Sequence, residues 1–186
     1  MKKRCFWVND DPLYVAYHDK EWGVPVYDDK TLFEFLILET FQAGLSWITI
    51  LKKRENFRKA FDNFDYNKVA NYKEDKYEEL LMDAGIIRNK LKIRSAIANA
   101  KLFIHVQEEF GSFSKYIWAF VDGKSIKNSF DKREDVPATT VLSEKIAKDV
   151  KKRGFKVVGS TVIYAYMQAT GMVNDHTTDC FRYNEI

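Results

Sequence analysis

Apolar residues recur at helical spacing along most of this 186-residue chain, and that period limits what it can fold into more than any single motif does. Only 8 Gly and 3 Pro interrupt it, and no stretch alternates apolar and polar residues as a half-buried strand would. An all-α fold is expected. Helix starts and stops follow from the capping residues. Asp11-Pro12 opens a helix over LYVAYHDKEW, Asp28 or Asp29 opens another through KTLFEFLILETFQAG that stops near Gly44, and Ser46 caps WITILKKRENFRKAF. NKVANY and DKYEELLMDAG make short helices, the second closed by Gly85. A long helix through NKLKIRSAIANAKLFIHVQEEF and a short one over SKYIWAFV come next. Residues 123–137 are polar and irregular and read as a loop, after which VLSEKIAKDVKKRG and STVIYAYMQATG resume the helical period. With no internal repeat or long linker, residues 1–186 are expected to form one domain that buries most of its apolar surface.

At 46% hydrophobic and 31% charged residues, the composition is that of a soluble globular chain and not a disordered one. No run approaches the length of a membrane span. The basic start MKKRCFWVNDD lacks the apolar core of a secretory signal, so the cytoplasm is the expected compartment. The net charge of +3 is small, and its distribution is more informative. Residues 40–54, 84–107 and 150–174 hold no acid, yet they contain Lys52, Lys53, Arg54, Arg88, Lys90, Lys92, Arg94, Lys101, Lys151, Lys152, Arg153 and Lys156. Three acid-free basic stretches in one small domain suit a face for a polyanion about as well as separate solvated helix surfaces.

The chain has three His and two Cys, and four of these five lie near its ends: Cys5 and His18 at one, His176 and Cys180 at the other. Two thiolates and two imidazoles suit tetrahedral zinc, and the i, i+4 spacing of His176 and Cys180 lets both reach one point. The turn at Asp10-Asp11-Pro12 would bring Cys5 and His18 together. His105 has no partner at ligand spacing and reads as structural. The spacing matches no standard zinc finger, so four unrelated side chains remain an alternative. A Cys5–Cys180 disulfide is another, worth roughly 5 kcal/mol in the chain-entropy model but disfavoured by a reducing compartment. Four protein ligands would leave no open coordination position, which makes such a zinc structural and argues against a zinc hydrolase.

Glu39 is the oddest residue of the long apolar segment FEFLILETFQAGLSW. On a helix it shares a face with Leu32, Phe35 and Leu36, with Phe41 close by. A carboxylate there is either solvated at the edge of the stripe or buried and in need of a partner. Phe6, Trp7, Tyr14, Tyr17, Trp22 and Trp47 are the candidate neighbours, each by itself an ordinary core residue. Together with one acid they describe a pocket for a flat cationic ligand, held by stacking, cation–π attraction and charge pairing.

Four blocks, RCFWVNDDPLYVAYHDKEWGVP, LETFQAGLSWITILKKRENFRKAF, DAGIIRNKLKIRSAIANA and KKRGFKVVGSTVIYAYMQATGMVNDH, carry a resemblance that spans almost the whole chain. The sequence resembles the bacterial 3-methyladenine DNA glycosylase I family, the constitutive alkylation-repair enzymes of the helix-hairpin-helix superfamily. That resemblance implies a helix-hairpin-helix DNA glycosylase-like fold, with the terminal segments packed together around one structural zinc and the central helices forming a second lobe. It implies a monomeric, monofunctional enzyme that flips 3-methyladenine out of double-stranded DNA and excises it hydrolytically, leaving an abasic site.

Site residues follow by position. The resemblance implies Cys5, His18, His176 and Cys180 as zinc ligands, Glu39 as the catalytic and base-binding group, Tyr17 as a second hydrogen-bonding group, Trp47 as the stacking ring and Trp7 as the pocket wall. Gly44 and Leu45 match the loop that enters DNA where the damaged nucleotide leaves the stack. RGFKVVGST matches the superfamily hairpin, so Lys156, Val158, Gly159 and Ser160 are expected to hold a phosphate, although only the second of the two usual glycines is present. Ser160 stands where the lyase branch has Lys, which excludes a Schiff base. Asp175 is the nearest match to the superfamily's catalytic Asp, but its spacing is shorter and it adjoins the zinc-site residues, so it is given no catalytic role. The alternative is a non-catalytic module of the same fold that binds damaged or abasic DNA, against which the intact Glu39, Tyr17 and Trp47 count. A pocket acting by charge alone would also accept 7-methylguanine, and the sequence leaves that choice open.

Overall fold

The computed structural model describes residues 1–186. Its helices are α1 (Pro12–Lys20), α2 (Asp29–Gln42), α3 (Trp47–Ala60), α4 (Tyr66–Ala70), α5 (Glu74–Met82), α6 (Lys90–Phe110), α7 (Phe113–Trp118), α8 (Val141–Lys152) and α9 (Ser160–Ala169). Short-range chemistry sets most of these boundaries. Asp11 caps α1 through Leu13 N–H (2.9 Å) with Pro12 in the first turn, and Asp28 caps α2 through Thr31 N–H (2.9 Å). Asn89, Ser112 and Thr140 cap α6, α7 and α8 in the same way, and Gly111 closes α6 in the left-handed conformation (φ +90°).

One cap contact and two boundaries differ from the sequence reading. Ser46 occupies the N-cap position of α3, but its hydroxyl bonds the Thr49 hydroxyl (2.7 Å) and caps no backbone N–H. Helix α5 ends at Met82, and Gly85 lies beyond it, held by the Asp83 carboxylate (2.8 Å). The 123–137 segment is not wholly irregular. It contains β1 (Ile126–Lys127), which pairs in parallel with β2 (Val173–Asn174), and a 3-10 turn at Arg133–Asp135. Two residues are too short for any alternation to show in the sequence.

Helix α2 is the centre of the molecule. Every residue from Leu32 to Phe41 except Glu34 is buried, and α3, α6, α7 and α9 all pack against it. A helix covered on all sides has no solvated edge, which decides the fate of Glu39. At its start, the Asp29 carboxylate crosses to α7 and accepts the N–H groups of Phe113 (2.9 Å) and Ser114 (2.8 Å). The chain ends meet: Phe181 N–H donates to Lys3 carbonyl (2.9 Å), and Lys3 pairs with Asp179 (2.6 Å). No helix is long and apolar enough to cross a membrane.

Candidate active site and metal centre

Helix α1 serves two sites with consecutive residues. Tyr17 and His18 are both buried, Tyr17 beside Trp47 (ring centroids 5.4 Å) and His18 beside His176 (4.7 Å). Trp7 bridges them, with its ring 6.4 Å from Tyr17 and 5.2 Å from His18.

The first site is a cavity of about 300 Å³. Phe6, Trp7, Tyr14, Tyr17, Trp22 and Trp47, the six aromatics singled out in the sequence, all line it together with Glu39. Glu39 is only 4% exposed, its Oε2 has no hydrogen-bond partner, and burial pushes its pKa up to about 8. The indole N–H of Trp47 is likewise buried without an acceptor. Such orphaned polar atoms are rare in a folded interior, and here they border one cavity. Burial first, and then the Glu39 charge, hold the Tyr17 phenol well above its ordinary pKa, so it stays a neutral hydroxyl. The Phe35 and Trp47 rings stack (6.5 Å, 25°), which fixes the indole from behind.

Sequence reasoning missed the opposite wall. Val136 and Pro137 come from the segment read as a loop, and Ala165, Gln168 and Asp175 come from α9 and the chain after it. Asp175 accepts from Asn128 (2.7 Å), Tyr164 (2.5 Å) and Gln168 (3.0 Å), so its carboxylate is fully engaged. No spacing rule signals that these positions share a cavity wall, because they converge from three separate segments.

The second site joins Cys5, His18, His176 and Cys180, all buried, with ligand atoms within 4.8 Å of one another. Cys5 Sγ to His176 Nδ1, Cys180 Sγ to His18 Nε2 and Cys180 Sγ to His176 Nδ1 are each 3.4 Å. The edges of a tetrahedral zinc site with ordinary bond lengths are about 3.3–3.8 Å, so the donors fit the ion. The outer atoms fit as well. His18 Nδ1–H donates to Asp19 (2.8 Å), itself gripped by Arg4 (2.7 Å), and His176 Nε2–H donates to the Trp22 carbonyl (2.9 Å). Both imidazoles therefore turn a lone pair toward the sulfurs, as metal-bound histidines do. Hydrogen bonding from Cys5 holds the Cys180 thiol far below its ordinary value, which favours a thiolate. Both cysteines are free thiols, so the disulfide alternative is not realised. His105 is exposed on α6, outside the cluster.

The surface elements expected to meet DNA are also in view. Gly44 (φ +81°) and Leu45 form the exposed turn between α2 and α3. Helices α8 and α9 are joined by residues 153–159, in which Lys156 N–H and carbonyl are clamped by Asn99 of α6 (2.8 and 3.0 Å). Val158 is buried in the core, and Ser160 Oγ is bonded to Ser143 Oγ (2.8 Å). Helix α9 has no side-chain N-cap, and a Cβ on Gly159 would meet nothing within 4 Å. That end presents uncapped N–H groups to open space. Part of the basic character is spent internally: Arg54 pairs with Glu21 (2.7 Å), Arg94 with Glu74 (2.7 Å) and Arg153 with Glu109 (2.7 Å).

Comparison with known proteins places this geometry. Residues 7–183 match the family model described as methyladenine glycosylase. The chain is 48% identical over 181 residues to DNA-3-methyladenine glycosylase 1 of Escherichia coli K12, covering 97% of each chain. It is 43% identical over 180 residues to DNA-3-methyladenine glycosylase of Haemophilus influenzae, again covering 97% of each. A crystal structure of a 3-methyladenine DNA glycosylase I superimposes with a TM-score of 0.94 at 49% identity, over 96% of this chain and 98% of that one. A variant of such an enzyme in complex with 3-methyladenine superimposes at 0.93 with 34% identity, over 96% of each chain.

Proposed function

The chain belongs to the methyladenine glycosylase family, and we propose that it excises 3-methyladenine from alkylated DNA through the Glu39 cavity. One observation carries the reading: a buried carboxylate oxygen stands without a partner in an aromatic-walled cavity. An apolar ligand would leave that oxygen unsatisfied, whereas the edge of a flat heteroaromatic cation can meet it.

The chemistry needs little from the protein. Adenine methylated at N3 carries a formal positive charge, so its bond to C1′ is already weak. The bond's electron pair leaves with the base, which departs neutral, and no strong general acid is required. Water adds to C1′ and releases a proton to solvent, leaving an abasic site. Glu39 does most of the discrimination. In the free protein burial favours its neutral form, and the arriving cation draws it back to the carboxylate. Neutral adenine offers no such compensation. The same charge then stabilises the positive charge that develops on the sugar. Tyr17 adds a second hydrogen-bonding group, Trp47 stacks on the base and Trp7 closes the wall.

Extrusion requires a grip on double-stranded DNA. Gly44 and Leu45 enter the stack in place of the lost nucleotide. The α8–α9 pair acts as the superfamily hairpin, with the backbone of Lys156, Val158, Gly159 and Ser160 meeting a phosphate. No amine stands at Ser160, so the enzyme stops at hydrolysis. Cys5, His18, His176 and Cys180 would hold one zinc, which supplies structural cross-linking and no catalysis, since its coordination is complete. The reading implies one domain, residues 1–186, acting as a cytoplasmic monomer.

The test is base release. The protein is incubated with DNA treated with a methylating agent and the freed bases are separated by chromatography. Release of 3-methyladenine with little 7-methylguanine is expected, and DNA binding without any released base would reject the catalytic reading.

A further inference from the structure

Helix α2 ends where the protein is read to enter DNA, and that is the wrong end of a helix for the purpose. Its last carbonyls have no partner within the helix and carry about half a negative charge, which repels phosphate. Lys92, at the third position of α6, reaches this end. Its ammonium donates to the carbonyls of Phe41 (2.8 Å) and Ala43 (2.6 Å), about fifty residues away in sequence. Lys92 takes part in no ion pair, in contrast to Arg54, Arg94 and Arg153 of the same basic stretches. The turn it grips has little else. Leu45 N–H donates to Gln42 carbonyl (2.7 Å), Gly44 sits in open space at φ +81°, and Leu45 is 39% exposed. No other polar contact ties residues 43–45 to a distant part of the chain.

We propose that Lys92 is a positioning residue for nucleotide extrusion, clamping the end of α2 so that Leu45 is presented in one geometry. The inference rests on the reading that Gly44 and Leu45 enter the duplex. It assigns Lys92 a task separate from base recognition, because the clamp lies on the backbone after Glu39 and not in the cavity.

The experiment measures single-turnover release from a duplex carrying one methylated adenine, alongside binding of free 3-methyladenine followed by tryptophan fluorescence. Lys92→Met, which keeps the aliphatic stem, is expected to lose about 10- to 100-fold in release while binding the free base normally. Lys92→Arg, with charge and donors restored, is expected to recover most of the loss. Because Lys92 acts through Leu45, Lys92→Met added to Leu45→Ala is expected to cost nothing further. A multiplicative loss in the double variant would overturn the proposal, showing an independent contact such as one with phosphate. A parallel loss of free-base binding would overturn it too, by making Lys92 a support of the pocket. If Lys92→Met fails to fold, Lys92→Gln runs through the same cycle. Failure of the functional reading itself has a different signature, since the unaltered protein would then release no base.

Discussion

Tyr17 and His18 are neighbours on α1, and their side chains diverge into two different sites, the base cavity and the Cys/His cluster. Any change that loosens the cluster therefore reaches the cavity through a single helix turn. The two sites are chemically distinct and mechanically joined, and experiments can address them separately.

Glu39→Gln removes the charge but keeps the shape of a side chain that is buried with its Oε2 unpartnered. The variant should fold, bind DNA nonspecifically as before, and lose about 100- to 1,000-fold in single-turnover excision, the range for removing one electrostatic stabiliser from a dry site. Excision within a few-fold of normal would remove Glu39 from the chemistry.

The same residue makes stability depend on pH in an unusual direction. Its pKa stands at about 8 when folded, against 4.5 ordinarily. Below pH 4.5 both folded and unfolded chains hold the proton and Glu39 contributes nothing to the pH dependence. Between these values the folded protein binds more protons than the unfolded one, so rising pH destabilises it, by on the order of a few kcal/mol at pH 8. Urea unfolding should find Glu39→Gln more stable than the unaltered protein at pH 8, with the advantage vanishing near pH 4. An advantage independent of pH would show that the carboxylate is not desolvated.

Asp19 holds His18 from behind the cluster without touching its centre. Asp19→Asn should weaken metal affinity by about 10- to 100-fold while leaving all four ligands in place. Competition with a chelating dye reads this directly. His18→Ala should instead abolish stoichiometric zinc and lower the melting temperature. Unchanged affinity in Asp19→Asn would mean that the carboxylate serves Arg4 alone.

Gly159 can accept a Cβ without meeting another atom. Gly159→Ala should therefore cost the fold less than about 1 kcal/mol, chiefly through a poorer N-cap. A methyl group there would obstruct the approach of a phosphate to the start of α9, so duplex affinity should fall several-fold. Free-base binding should not change. Normal DNA affinity in this variant would move the phosphate site elsewhere.

Much of the fold was legible because its signals are short-range. A cap such as Asp28 with Thr31, or Asn89 with Lys92, is decided within three residues. The period that makes a helix is decided within four. The Cys/His set was legible for another reason: with so few of these residues in the chain, their identity alone named the candidates, and the six aromatics near Glu39 stood out in the same way. The boundary that failed at Gly85, and the cap bond that Ser46 does not make, are places where a side chain chose a different local partner.

What the sequence determined by itself was the set of helices and the inventory of unusual groups. What only the tertiary structure decided was whether each group is buried, and beside what. Glu39 is desolvated because helices close around α2 from every side. Asp175, Val136 and Pro137 join the cavity because β1 pairs with β2. Lys92 meets Ala43 across 49 residues, and Arg54 finds its acid on α1's C-cap. Helical period and caps depend on neighbours along the chain, whereas the charge state of a carboxyl depends on the dielectric around it, and that is set by residues brought near only by folding.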